Sequence, residues 1–243
     1  MSVNENARSK SQAEDAYERI RVKLLNCKLA PGDKLHIADL SAELGFSPGA
    51  IREALSRLTA DGLVEAEAQK GFRAARVSAE DLADLTRARA RLEGLCLAEA
   101  IDHGDLEWEA RVLAAHHKLS RIPMKTGIGD SLSEAWAEAH SDYHLALAEG
   151  CGSRWLLRLR AGLYEQSERY RRMSVPLDPG NRDVAAEHLA ICEAALARDK
   201  KLAVRLLREH IEKTARIIVG AFGAARDADA PKPSRPARAK RAR

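Results

Sequence analysis

Aromatic residues are scarce in this chain: three Phe, four Tyr and three Trp make up 4% of its 243 residues. Ala, Leu, Arg and Glu dominate, a balance that favours helix over strand. Long apolar runs are missing too. No stretch approaches the roughly 18 consecutive apolar residues of a membrane-spanning helix. The segment Met1 to Gln12 is polar and lacks the apolar centre of a secretory leader. The four cysteines, Cys27, Cys96, Cys151 and Cys192, are widely spaced and form no C-x-x-C pair. That spacing argues against a disulfide scaffold and points to reduced thiols in a cytoplasmic protein.

A strong excess of one charge is also lacking. The formal net charge is +4, and the tail from Asp227 to Arg243 accounts for it with six basic and two acidic residues. Residues 1–78 carry twelve basic and eleven acidic side chains. Bulk charge therefore does not mark the first domain as a nucleic-acid binder, and such a reading has to rest on pattern. The 45% apolar content and the length allow two domains of ordinary size.

The first helical period runs from about Glu14 to Cys27, where Tyr17, Ile20, Leu24 and Leu25 share a face. Ala30-Pro31-Gly32-Asp33 breaks it. A short helix is expected over Ile37–Leu44, ended by Gly45 in the C-cap position. A third is expected over Pro48–Ala60, with Ser47 as N-cap and Pro48 at the tolerated first position. Leu63–Ala66 and Gly71–Val77 read as a small hairpin. From Ser78 to Phe222 only helical period is seen, with segments expected at 79–102, 105–121, 131–149, 153–174, 181–198 and 199–222. After residue 223 the chain turns to Ala, Pro, Lys and Arg, a composition that cannot offset ordering entropy. The fold class expected is mainly α. It comprises a flexible segment 1–12, a winged helix-turn-helix over 13–77, an all-helical antiparallel bundle over 78–223 and a disordered basic tail over 224–243.

Helix, short helix, Gly turn, helix and hairpin is the order of a winged helix-turn-helix. Such a module inserts its third helix into the major groove, which accepts an object of that width. The residues expected at DNA are Ser47, Pro48, Gly49, Arg52, Ser56 and Arg57 on that helix. Lys70, Gly71 and Arg73 are expected there from the wing.

The second domain carries histidines at telling positions. His140 and His144 are four residues apart on one expected helix, so their Cβ atoms lie about 6 Å apart, close enough to share a metal. His188 and His210 fall on two later helices, and both follow a glutamate. If those helices pack antiparallel, all four rings can reach one interior point. Each histidine read alone is an ordinary core or surface residue, which is how His103, His116 and His117 are taken.

Ser47-Pro48-Gly49-Ala50-Ile51-Arg52-Glu53-Ala54-Leu55-Ser56-Arg57-Leu58, followed by Asp61-Gly62-Leu63-Val64, resembles the signature of the GntR family of bacterial regulators. Pro31-Gly32-Asp33-Lys34-Leu35 resembles that family's link after its first helix. Pro48 stands where many members have a basic residue. The stretch from Ser78 to Phe222 resembles the FCD ligand-binding domain of the FadR subfamily. The resemblance rests on Arg89-x-x-x-Glu93, on Tyr143-His144, on Glu187-His188 and on Arg208-Glu209-His210. It implies one divalent transition metal, Zn or Ni foremost, held by His140, His144, His188 and His210. His140 occupies a position that is acidic in much of the family. The resemblance also implies a small organic-acid effector, with Arg89 as a carboxylate clamp; the alternative for Arg89 is a surface pair with Glu93. Gly150-Cys151-Gly152-Ser153 and Arg169-Tyr170-Arg171 resemble the carbon-starvation branch, whose effector is glutarate.

The function implied is a ligand-controlled repressor, a cytoplasmic homodimer on a palindromic double-stranded operator with no membrane partner. A metal-dependent hydrolase or isomerase fused to a DNA reader is the alternative. No His-Glu-x-x-His is present, and Glu187 and Glu209 project about 100° away from the histidines that follow them. A nucleoid-type binder acting through the basic tail is the third reading, separable by deleting residues 227–243.

Overall fold

The computed structural model describes residues 11–126, 132–175, 177 and 182–229. Among these residues the chain forms nine α-helices and three short strands. Helix α1 spans Gln12–Leu25, two residues earlier than expected, because Ser11 caps it by accepting a hydrogen bond from the Glu14 amide. It stops short of Cys27, whose φ of 53° is left-handed. Strand β1 (Lys34–Leu35) is followed by α2 (Ile37–Leu44), α3 (Pro48–Ala60), β2 (Val64–Glu67) and β3 (Gly71–Ala74). β1 was not expected; its two residues pair antiparallel with Arg73 and Phe72, so the hairpin becomes a three-stranded sheet ordered β1-β3-β2. β3 ends at Ala74, three residues before the expected Val77.

The first core gathers Ile20 and Leu24 of α1, Leu40 of α2, Ile51, Leu55 and Leu58 of α3, and Leu63, Val64 and Ala74 of the wing. Gly45 has φ 75°, a left-handed cap that an L side chain rarely adopts, and it makes the tight link from α2 to α3.

Helices α4 (Ala79–His103), α5 (Leu106–Ser120), α6 (Glu134–Glu149), α7 (Arg154–Ser174), α8 (Val184–Leu196) and α9 (Lys200–Asp229) form the bundle. α4 lies centrally against α6, α7, α8 and α9, while α5 packs on α6 and α8 packs on α9. Leu97, Trp108, Tyr143, Leu147, Ile191 and Leu207 fill its core. The Trp108 indole donates to the Ala146 carbonyl, and its ring lies so close to Gly104 that a Cβ there would collide with it. α9 runs on to Asp229, beyond the expected boundary at 223. Of the flexible start expected over 1–12, Ser11 and Gln12 belong to the capped start of α1, and of the disordered tail expected over 224–243, residues 224–229 continue α9; residues 1–10 and 230–243 lie outside the described residues. No helix among the described residues is long and apolar enough to cross a membrane.

The two domains meet along α7. Arg169 donates to the carbonyls of Ala75 and Arg76, at 2.7 and 3.1 Å. Arg21 of α1 pairs with Glu165 at 2.8 Å, and Gln166 donates to the Asp61 carbonyl. Arg172 donates to Asn26 Oδ1 at 2.6 Å and to Glu134 at 2.7 Å.

Candidate metal centre and DNA-reading surface

Helix α3 is seated by Ala50, Ile51, Ala54, Leu55 and Leu58, all buried, which leaves Ser47, Pro48, Gly49, Arg52 and Ser56 exposed on its outer face. Ser47 Oγ accepts from the Ala50 amide at 3.3 Å and so satisfies one free donor of the first turn. Arg52 engages no side-chain partner among the described residues and projects freely. Arg57 behaves differently: it donates to Glu14 at 2.7 Å and lies over the Tyr17 ring at 4.4 Å, tying α3 to α1. Arg73 likewise bonds Glu67 at 3.0 Å and the Gly32 carbonyl, bracing the wing. Lys70 and Gly71 stand exposed at the wing tip, where Gln69 and Gly71 both have positive φ.

In the bundle, His140 and His144 of α6, His188 of α8 and His210 of α9 converge. Each offers a ligand nitrogen, and these atoms all lie within 4.8 Å of one another. All four side chains are buried. The outer nitrogens of His140 and His210 are held from behind by hydrogen bonds, and that of His144 faces a carboxylate. His140 Nδ1 is 2.8 Å from the Tyr164 hydroxyl, His210 Nδ1 is 2.8 Å from Glu187 Oε2, and His144 Nδ1 stands 3.4 Å from Glu93 Oε2. The Tyr143 hydroxyl donates to the His188 carbonyl at 2.8 Å and steadies that ring's backbone. Partners on Nδ1 orient the opposite nitrogen inward, the arrangement that supports metal-ligating imidazoles.

Both ring nitrogens of His144 and Nε2 of His188 are buried without a hydrogen-bond partner among the described residues. Leaving such atoms unsatisfied is costly, and a shared cation removes that cost. Burial also keeps the rings neutral. It pushes His140 and His188 well below the ordinary histidine value and lowers His210; His144 falls to about 3 despite the Glu93 carboxylate beside it. Neutral imidazole is the ligating form. The donor set fits a divalent transition metal.

Arg89 is neither exposed nor a surface partner of Glu93. It is buried, donates to Glu93 at 2.6 Å and to Ser167 Oγ at 2.8 Å, and covers the Tyr164 ring at 4.7 Å. Burial by itself would raise the Glu93 carboxyl, but the guanidiniums of Arg89 and Arg160 outweigh it and hold Glu93 well below the usual range. Arg89 thus fixes the carboxylate behind His144. Glu187 is held low in the same way: His210, Arg182 and Lys213 outweigh its burial. It does point away from His188, as its place in the helix requires, and it serves His210 of the next helix instead. No local spacing reveals that pairing, nor the approach of Tyr164 to His140.

A cavity of about 500 Å³ opens beside the centre, lined among others by His116, Met124, Trp136, Arg182, Val184 and His188. A smaller inner space of about 30 Å³ shares Trp136 and Arg182 with it and is bounded by His140, His210 and Arg171. His116, read from sequence as an ordinary histidine, therefore faces the same cavity as His188.

Known proteins share both halves of this arrangement. Residues 12–73 match the family described as bacterial regulatory proteins, gntR family, and residues 84–213 match the FCD domain. The chain is 40% identical over 214 residues to an uncharacterized HTH-type transcriptional regulator, BphR, of Paraburkholderia xenovorans, covering 87% of each. It is 34% identical over 201 residues to the HTH-type transcriptional repressor GlaR of Escherichia coli, covering 81% of this chain and 91% of that one. The fold is shared with Escherichia coli McbR/YncC at a TM-score of 0.70 and 20% identity, over 88% of this chain and 100% of that one. The family and these relatives are transcriptional regulators and not enzymes, which sets aside the hydrolase or isomerase reading. A helix-turn-helix with a three-stranded wing, joined through α7 to an FCD bundle, makes this chain a DNA-binding transcriptional regulator of the GntR family.

Proposed function

We propose that the protein is a repressor whose operator binding is controlled by a small organic acid at a metal centre in the bundle. The observation that carries this reading is the convergence of four buried histidines, two with unpartnered Nε2 atoms, beside a cavity of about 500 Å³. His140, His144, His188 and His210 would hold Zn or Ni. The ion would supply a Lewis-acidic seat for a carboxylate. Repression is favoured by the relative named a repressor, GlaR. A homodimer on a palindromic operator is favoured by apolar surface on neighbouring helices. Trp155 and Leu159, one turn apart on α7, are 65% and 58% exposed, and Leu95 on α4 is 46% exposed. At the DNA, Ser47, Pro48, Gly49, Arg52, Ser56, Lys70 and Gly71 make direct contacts, while Arg57 and Arg73 act through the shape of the module. The basic tail adds only salt-sensitive attraction.

The test is a thermal-shift screen of small organic acids on protein with and without chelator, followed by gel shifts on DNA selected by the protein from a random pool. A stabilising acid that needs the metal and releases the DNA is the expected result. Acids that act equally after chelation would refute the metal-centred reading.

A further inference from the structure

A second cleft, of about 690 Å³, lies at the junction of the two domains and shares no lining residue with the cavity beside His188. Arg21 and Leu25 of α1 bound it on the side of the reader, and α6 and α7 on the side of the bundle. Arg160 of α7 is part of its lining and is 3% exposed. The Arg160 guanidinium lies over the Tyr164 ring at 5.2 Å, and its Nε and Nη2 are buried without a hydrogen-bond partner among the described residues. Glu93 Oε2 stands 3.7 Å from Nη2, beyond hydrogen-bond reach, and Glu93 already accepts from Arg89 at 2.6 Å. Arg160 thus has its charge balanced but its N–H groups unmet. Such desolvated donors are costly, and a carboxylate brings two acceptors that match a planar guanidinium.

The rim of the cleft carries the opposite sign. Glu134, Glu138 and Asp142 follow one another at four-residue spacing on α6, and all three line it. Arg172 holds Glu134 at 2.7 Å, and Lys118 holds Asp142 at 2.9 Å. Arg21 is held by Glu165 at 2.8 Å. Glu138 remains, exposed and with no hydrogen bond or ion pair among the described residues. A simple anion would meet the acidic rim, and a simple cation would meet Arg160. A molecule with both charges satisfies each end, and a cleft of this volume houses a small one.

We propose that the junction cleft is a second ligand site, for a small zwitterion such as a free amino acid, with its carboxylate on Arg160 and its ammonium on Glu138. The site uses none of the four histidines and stands independently of the metal-centred reading above. Because Arg21 and Leu25 belong to the reader, the bound zwitterion ties α1 to the bundle.

The test uses full-length, zinc-loaded protein. Calorimetry compares glycine, β-alanine, 4-aminobutyrate and 6-aminohexanoate with the unsubstituted acid and the simple amine of the same length, and hydrogen–deuterium exchange locates what binds. The best zwitterion should bind at least about tenfold tighter than either single-charge analogue. It should slow exchange over residues 19–27 of the reader. Glu138→Gln, at an exposed position, should bring the zwitterion down to the affinity of the acid. Ala161→Phe, which fills the cleft from its exposed edge, should block every ligand of the series. Arg160→Lys, with its melting midpoint measured alongside, should weaken zwitterion and acid together. Equal affinity for zwitterions and their analogues, or binding by none of them, overturns the site. So does a preference that survives both Glu138→Gln and Ala161→Phe. Slowed exchange around the histidines of α6 and α8 with α1 unchanged would put the ligand at the metal centre and overturn the junction site, leaving the metal-centred reading intact.

Discussion

Glu187 Oε2 lies 2.8 Å from His210 Nδ1, reaching from α8 to α9 rather than to the histidine that follows it in sequence. The carboxylate fixes the ring's tautomer and turns its other nitrogen toward His140, His144 and His188. Removing the charge while keeping the shape should weaken the centre without emptying it. Glu187→Gln is expected to lower metal affinity by about 10- to 100-fold, read by competition with a chromogenic chelator. Wild-type affinity in that assay would show that Glu187 only packs.

The Nε2 atoms of His144 and His188 are buried without a hydrogen-bond partner among the described residues. Replacing both, His144→Ala with His188→Ala, should leave protein that binds no stoichiometric metal by elemental analysis. Equal metal in the variant and the parent would refute the site.

On the reading helix, Arg52 and Leu55 separate contact from scaffold. Arg52 is exposed, so Arg52→Ala should abolish selection of the operator in gel shifts with no loss of stability. Leu55 is fully buried between α1, α2 and the wing, so Leu55→Ala should cost about 2–5 kcal/mol in denaturant unfolding. Arg57→Ala should lower the melting midpoint as well as DNA affinity, because its guanidinium binds Glu14 and covers Tyr17. A variant with normal stability and lost binding would instead put Arg57 at the DNA.

The junction between the domains should be sensitive to acid. Hydrogen bonding from Arg172, with Asn26 adding to it, lowers the Glu134 carboxyl from its ordinary 4.5 to about 2 against partial burial. A carboxyl depressed on folding contributes stability that is whole above its unfolded value and is lost as pH falls through the folded one. The Glu134 contribution should therefore decline between about pH 4.5 and 2. Unfolding midpoints followed across that window should drop less steeply in Glu134→Gln than in the parent. Parallel curves would show that the pair adds nothing.

Much of the reader was legible along the chain because its signals are local. Ser47 before Pro48, Gly45 after Leu44 and the spacing of Ile51, Leu55 and Leu58 are read within one or two helical turns, and α2 and α3 fall where that spacing put them. β1 was missed because two residues carry no period; Lys34 and Leu35 become a strand only when β3 lies beside them. Arg57 looked free because its partner Glu14 is more than forty residues away in sequence, and Arg73 because only the folded wing sets it between Glu67 and the distant Gly32 carbonyl.

In the bundle, the spacing of His140 and His144 places two ligands on one face by helix geometry alone, and the resemblance to the FCD domain named the other two. The supporting groups were not readable: Tyr164, Glu93 and Glu187 back the histidines from other helices, and only their packing brings them within reach. Arg89 shows the same limit. Its one-turn spacing to Glu93 announced the pair, but burial decided that it braces the centre from behind.

Sequence alone thus indicated the order of elements and placed His140 and His144 on one face, since capping, helical period and turn chemistry act over a few neighbouring residues. The tertiary structure decided which arginines remain exposed, which groups stand behind the histidine cluster, and how α7 joins both domains. Those outcomes depend on desolvation and on partners that only the folded chain brings together.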